Sequence, residues 1–388
     1  MSDVVALVSF TIHPTAGSEA GVGWSVLDAL LSRSATDRVH LLFDARDDAA
    51  VRSGLERHPA GDRVVLHPVP VPGPVLHRYG DARTRQSYLA WLPGARRRLR
   101  RLASSVRLDV AHQVTFASAV LPPVLAPGVA KRVVWGPLSV PASASGGAGR
   151  VAAVGAAAVR IAEAVAARNV RRADLVIANN DHSRAFVARH GRPVVLEPNI
   201  VVERRDRLGS VSADALVMAG HLVPRKRPWL AVRAIADQRL AGLRLVVLGD
   251  GPLRAELERL ASDLGVADRV EFRGAVSREV ALATMSSSRL LVHPSAREGS
   301  PWVVGEAAAG GLPAVVMPGS GGEATVRLCD NGGVVAPVRP DVVDALVEGI
   351  VEALARPMPE PTDRWSAGRL PGLLDAWYQL PAVPSDRD

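Results

Sequence analysis

The hydrophobic positions of this chain fall into short β-branched runs separated by longer stretches of helical spacing, from one end to the other. In the first half, residues 4–10, 39–43, 64–69, 108–112, 131–135, 174–178 and 193–197 read as strands. In the second half, residues 215–219, 243–248, 270–272, 290–293 and 314–316 do so. Helical patterns such as 20–32, 181–190, 253–264, 301–309 and 340–354 lie between them. This alternation predicts an α/β protein of parallel sheets covered by helices on both faces, built twice over. The polar segment 202–213, with Glu203-Arg204-Arg205-Asp206-Arg207, has no apolar period and marks the break between domains 1–202 and 203–360. Two such domains would meet across a cleft, and open α/β sheets bind ligands beyond the carboxyl ends of their strands. The tail, 361–388, carries Trp365, Leu370, Leu373, Leu374, Trp377 and Leu380 at near-helical spacing, which predicts a helix packed back on the body.

Composition narrows the class. At 388 residues each domain can bury a core, and 22% charged with 48% hydrophobic residues excludes disordered, collagenous and fibrous chains. The net charge of +8 rests on 45 arginines and only two lysines, Lys131 and Lys226. That imbalance reads as the codon bias of a GC-rich genome rather than a design for one polyanion. A single cysteine, Cys329, cannot form an intrachain disulfide, and no Cys/His cluster has zinc spacing, so a reducing compartment fits. The N-terminus lacks a signal peptide's basic start and long apolar core. The longest apolar stretch, 151–167, is mostly alanine and glycine and carries Arg160 and Glu163, short of the roughly 18–20 apolar residues a membrane span needs. The expectation is a cytoplasmic protein without a transmembrane segment.

The loops after the strands carry the chemistry. After the first strand, Thr11 to Gly23 includes Gly17-Ser18, a strand-to-helix turn at which backbone N–H groups can approach an anion. After residues 215–219 comes Gly220-His221-Leu222-Val223-Pro224-Arg225-Lys226-Arg227, three cations ahead of a helix. A bare Arg-Lys-Arg run is more often a solvated loop; a lysine in a chain that otherwise uses arginine favours a specific role at 226. Gly249-Asp250-Gly251-Pro252 is a well-formed turn opening a helix. In the stretch 290–310, a strand stops at His293-Pro294-Ser295, a loop presents Glu298, and a helix opening near Pro301 carries Glu306. Two carboxylates with seven residues between them, one on a loop and one on a helix, can hold two parts of one elongated ligand.

These segments resemble the retaining nucleotide-sugar glycosyltransferases of family 4, which have the GT-B fold. The resemblance runs through Gly220–Lys226, Leu248–Pro252, Asp268–Gly274, His293-Pro294-Ser295 and Glu298-x7-Glu306, with Gly321-Gly322-Glu323 departing from the usual spacing. It is looser in the first half, at Gly17-Ser18-Glu19, Asp109-Val110-Ala111-His112, Trp135-Gly136-Pro137-Leu138 and Glu197-Pro198-Asn199. It implies two facing Rossmann-like domains, an acceptor-binding one and a nucleotide-sugar-binding one, with a cleft between them and a C-terminal helix crossing back to the first. It further implies that Lys226 binds the donor diphosphate, with His221 where the family has an arginine and Arg225 or Arg227 able to compensate. Glu306 would hold the ribose hydroxyls, and Glu298 with Gly299, Ser300 and Pro301 the donor sugar. His112 would stand at a strand end facing the donor's reacting end, and Gly17 would offer its N–H to phosphate or sugar. Gly220 belongs to the diphosphate loop. The implied reaction retains configuration, needs no metal, and uses no cofactor beyond a nucleoside-diphosphate sugar, with uridine favoured by family frequency. Asp44, Asp47 and Asp48 read as surface charge rather than a metal site.

Other readings stay open. Arg83, Arg85, Arg96, Arg97, Arg98, Arg100 and Arg101, interleaved with Tyr88, Leu89, Trp91, Leu92, Leu99 and Leu102 and interrupted by Pro93-Gly94, could be an interfacial element on an anionic membrane serving a lipid-linked acceptor, or a solvated basic helix. Nucleic-acid binding has net charge as its only support, since aromatics are 4%. A nucleotide-sugar epimerase or a phosphorylase would share the fold. The acceptor would be read by first-domain loops at 70–81 and 137–150.

Overall fold

The computed structural model describes residues 3–140, 150–207, 211–212, 214–296, 298–329 and 332–379. The chain divides into two compact units, one of residues 1–199 with 367–388 and one of residues 200–366.

In the first unit seven strands, β1 (Asp3–Ser9), β2 (Thr36–Asp44), β3 (Val64–Val69), β4 (Val110–Thr115), β5 (Arg132–Leu138), β6 (Leu175–Ala178) and β7 (Val194–Leu196), form one sheet in the order β3-β2-β1-β4-β5-β6-β7. In the second, β8 (Ala215–Ala219), β9 (Arg244–Leu248), β10 (Val270–Gly274), β11 (Leu290–His293), β12 (Ala314–Val316) and β13 (Val334–Val335) run β10-β9-β8-β11-β12-β13. Every pairing is parallel, because each connection carries the chain back over a face of its sheet. Both orders reverse beside the first strand of the unit, which makes each unit a doubly wound Rossmann-like fold. The inner strands are buried on both faces, so they read as continuous apolar runs: Val5 to Val8 are fully buried.

The basic segment is one helix, Arg85–Ser105, that runs straight through Pro93. A proline leaves the carbonyl four residues earlier without a partner. That carbonyl belongs to Leu89, and both residues lie on the solvent side, where water can satisfy it. The inner side is core: Tyr88 and Trp91 are fully buried, their rings pack around Phe10 at 5.4 and 5.2 Å, and the Trp91 indole donates to the Val69 carbonyl at 3.1 Å. The apolar half of the membrane alternative is therefore spent on the sheet. What stays outside is chiefly charge, at Arg97, Arg98, Arg100 and Arg101. Among the described residues no helix is long and apolar enough to cross a membrane.

The tail splits between the units. Trp365 is fully buried in the second unit beside Ile200, Val202 and Cys329, whose thiol sulfur accepts from its indole at 2.9 Å. The helix Leu370–Gln379 belongs to the first unit, where Leu374 and Trp377 are buried and Asp375 accepts from Arg33 at 2.7 Å. Leu380 and residues 141–149 of the 137–150 loop lie outside the described residues.

Candidate functional site

In the second unit the strand order reverses between β8 and β11, so the loops that leave their carboxyl ends are neighbours. The loop after β8 turns at Gly220, whose φ of 136° suits glycine and whose missing Cβ leaves room for the Lys226 ammonium: a Cβ there would stand 3.0 Å from Nζ. The loop is braced from β9. Gly220 donates to the Leu248 carbonyl at 2.8 Å, and the Leu222 N–H and the His221 ring meet the Asp250 carbonyl at 2.9 and 3.2 Å. The loop after β11 is tied to it by the Ala296 N–H, which donates to the Arg225 carbonyl at 3.1 Å.

These ties bring three side chains to one oxygen. Glu298 Oε1 accepts from Arg225 Nη1 at 2.9 Å, from Ser295 Oγ at 3.2 Å, and lies 3.1 Å from Lys226 Nζ. The carboxylate and the ammonium are largely buried, and Arg225 is half exposed. Burial opposes the charge on Glu298, but Lys226 and the other cations outweigh it and lower its pKa, so it is a carboxylate at neutral pH. His293, at the end of β11, is neutral: burial first, then the Lys226 charge, lowers its pKa to about 4. Its Nε2 is buried without a hydrogen-bond partner.

Arg227 does not join the cluster. It sits at φ 47°, capping the helix Pro228–Ile235, and donates to the Pro294 carbonyl at 3.0 Å. Gly299 and Ser300 follow Glu298 in the loop, and Pro301 is the N-cap of the helix Trp302–Ala309. Glu306 lies about one and a half turns into that helix and is bound by Arg278, whose Nε and Nη2 reach Oε1 at 2.9 and 2.7 Å. Beside the pair is a cavity of about 280 Å³ walled by Glu279, Leu282, Met285, Ala307 and Leu312.

Sequence reasoning missed two contributors. Arg278 is an ordinary surface arginine by its neighbours in the chain, and only the packing of its helix beside Trp302–Ala309 brings it to Glu306. Gly321 seemed part of a poorly spaced motif, yet its N–H donates to the Glu298 carbonyl at 3.1 Å and a Cβ on it would lie 2.0 Å from the Gly299 carbonyl oxygen. A glycine pair opening a helix shortly after a strand was the available signal.

The first-unit candidates stand differently. Gly17 is exposed at the N-cap of the helix Ser18–Ser32, with open space where a Cβ would go. The close approach is made within that helix by Gly23, where a Cβ would lie 2.3 Å from Ser9 Oγ. Two of the three acidic residues are not surface charge, and Asp48 is a half-exposed partner of Arg52. Asp44 and Asp47 are buried, paired with Arg46 and Arg83, and Asp47 Oδ2 takes the Ile12 N–H at 3.1 Å, fixing the loop after β1.

His112 lies inside β4 rather than at its end, because the strand continues through Gln113, Val114 and Thr115. It is fully buried, with Nε2 donating to the Gly136 carbonyl at 2.9 Å and Nδ1 meeting Tyr378 Oη at 3.0 Å. Both ring nitrogens are used, so its place is structural. Burial, against a smaller opposing effect of the Gly136 bond, lowers its pKa to about 4. The unfolded chain protonates this ring near ~6.5, so the stability tied to its neutral form is fully present above that pH and is lost as pH falls toward 4. Between pH 7 and 5 a His112→Asn variant should lose about 2 kcal/mol less stability than wild type, measured by denaturant unfolding at each pH. Parallel curves would refute this.

Residues 204–368 match the family model described as glycosyl transferases group 1. The chain is 31% identical over 170 residues to a GDP-mannose-dependent alpha-(1-6)-phosphatidylinositol monomannoside mannosyltransferase of Mycolicibacterium smegmatis, a match covering 42% of this chain and 44% of that protein. It is 33% identical over 190 residues to a D-inositol 3-phosphate glycosyltransferase of Streptomyces avermitilis, covering 42% and 40%. The chain thus spans less than half the length of the curated relatives it matches. Among solved structures, WaaG, a glycosyltransferase involved in lipopolysaccharide biosynthesis, aligns with a TM-score of 0.57 at 18% identity over 98% of this chain and 96% of its own. Anabaena HepE in complex with UDP aligns at 0.59 and 16% identity over 96% and 98%. These likenesses establish the two-domain Rossmann-like α/β fold of the GT-B class.

Proposed function

We propose that this chain, whose residues 204–368 match the family model of the group 1 glycosyl transferases, moves a hexosyl group from a nucleoside-diphosphate sugar to an acceptor hydroxyl with retention at the anomeric carbon. The observation that carries the reading is the convergence of Lys226, Arg225 and Glu298 from two neighbouring loops at the strand-order reversal. An ammonium has three donors, and Lys226 spends one on Glu298, leaving two for a diphosphate. Arg225, His221 and the Gly220 turn line the same loop. Glu298, Gly299 and Ser300 are assigned to the donor sugar; Pro301 has no N–H to give and serves to start the helix.

Glu306 is assigned to the ribose hydroxyls, as a carboxylate accepts two O–H groups well. In this assignment Arg278 holds the carboxylate in place until the nucleoside arrives. The departing diphosphate takes the acceptor's proton on the face it leaves, and catalysis rests on stabilising that anion and aligning both substrates. The positive charge comes from Lys226 and Arg225, and no metal is invoked. His112 is given no catalytic role. A uridine diphosphate sugar is the first donor to test; the relatives named above include one dependent on GDP-mannose.

Calorimetric titration of UDP, GDP and pyrophosphate tests the assignment. Glu306→Ala should weaken the preferred nucleoside diphosphate about 10-fold, the worth of one lost charged hydrogen-bonding group, and leave pyrophosphate binding unchanged. Equal affinity of wild type and variant for the nucleoside diphosphate would remove Glu306 from the site. Absence of any nucleoside-diphosphate binding would remove the reading itself.

A further inference from the structure

At the amino-terminal edge of the first unit's sheet, opposite the loops that follow its strands, lies a cavity of about 880 Å³. Three adjacent strands start there: β1 with Asp3, β4 with Val110 and β5 with Arg132. Four cations line it, Arg33, Arg107, Lys131 and Arg132, against two carboxylates, Asp3 and Asp109.

The pairing leaves an excess. Arg33 is held by Asp3 at 3.2 Å and Asp375 at 2.7 Å and lies over the Tyr378 ring. Lys131 is bound to Asp109 at 2.6 Å. Arg107, exposed at the rim, and Arg132 have no ion pair among the described residues. Arg132 is only 6% exposed, and its Nε and Nη2 are buried without a hydrogen-bond partner. The nearby Asp174 does not satisfy it, since that side chain is turned to the Val133 N–H at 2.8 Å. A buried guanidinium lacking partners is costly, and an oxyanion bound in the cavity that Arg132 lines would offset its charge and relieve part of that cost.

We propose that this cavity binds the phosphate group of a small molecule, with Arg132 as the buried anchor and Arg107 and Lys131 at the rim. Its volume falls in the range of small-molecule sites, roughly 300–1,000 Å³, so a phosphomonoester with a sugar-sized body fits as well as free phosphate. The site is separate from Lys226 and Glu306 and does not depend on the transfer reaction proposed above.

The full chain is titrated with inorganic phosphate and with glucose 6-phosphate at constant ionic strength, using chloride as the reference salt and following binding by calorimetry and thermal shift. Saturable binding beyond the chloride reference is expected, weakened at least about 10-fold in Arg132→Met and severalfold in Arg107→Ala, and kept in Lys226→Ala. Tighter binding of glucose 6-phosphate would identify a phosphomonoester as the ligand, and equal binding free phosphate; both support the site. The proposal is overturned if phosphate does no more than chloride, or if binding survives both arginine substitutions. Loss in Lys226→Ala alone would equally overturn it, by placing the anion at the other site. Arg107→Ala changes an exposed side chain and keeps the test available should Arg132→Met fold poorly.

Discussion

Lys226→Ala lowers kcat/KM for the nucleoside-diphosphate sugar by about 10²–10³-fold, the loss found when one preorganised charged donor is withdrawn from a developing anion. Two things go at once. On the proposed assignment the departing diphosphate loses its most buried cation, and Glu298 loses the charge that most strongly offsets its burial, 3.1 Å away. The carboxylate pKa then rises, and with it the fraction of neutral acid beside the donor sugar. Lys226→Arg should not rescue: the ammonium sits where a Cβ on Gly220 would come within 3.0 Å, and a planar fork needs more space than a compact ammonium. Steady-state kinetics with the donor varied will show it. Wild-type kcat and KM in Lys226→Ala would exclude the diphosphate role altogether.

Gly249→Ala should destabilise the second unit by about 3–5 kcal/mol, among the largest effects of a single methyl group. The residue has φ 135°, and a Cβ would lie 2.1 Å from the Gly220 carbonyl oxygen, a backbone atom that can move only with its strand end. Since Gly220 opens the loop that carries Lys226, donor affinity should fall along with stability. Gly319→Ala is the internal comparison: φ is 71°, but open space surrounds the new methyl. Its cost is the left-handed conformation alone, about 1–2 kcal/mol. In a unit of this size each kcal/mol shifts Tm by roughly 2–4 °C, so Gly249→Ala should melt about 10 °C lower and Gly319→Ala only a few degrees. Equal melting of the two variants would show that the loop yields and that the close approach is not restrictive.

Much of this was legible in the order of residues. The buried parallel strands announce themselves as β-branched runs, and only the two-residue β13 escaped, being too short to show a period. Helix Arg85–Ser105 was misjudged at Pro93, since a one-dimensional pattern cannot show that the broken hydrogen bond faces water. The end of β4 was placed at His112 because His, Gln and Thr look like a strand running out. In the fold Gln113 is fully buried, accepting the Val124 N–H at 2.7 Å and donating to the Tyr88 hydroxyl at 3.1 Å. The same limit hid the Asp47 pair, whose arginine partner Arg83 lies on a different loop.

By itself, the chain's order of residues determined the α/β class, the twofold repetition of a doubly wound unit, the loops bearing Lys226 and Glu298, and the helix bearing Glu306. Periodicity, glycine turns and strand ends are local properties, and each is set by neighbours a few residues away. Only the tertiary structure decided which candidates meet. It joined Lys226 and Arg225 to Glu298 at one oxygen, gave Glu306 to Arg278, withdrew Arg227 to a carbonyl and sealed His112 under the helix Leu370–Gln379. It also left Arg132 buried without a partner. Charge pairing and burial depend on contacts between segments far apart in the chain, and those exist only once the sheets have formed.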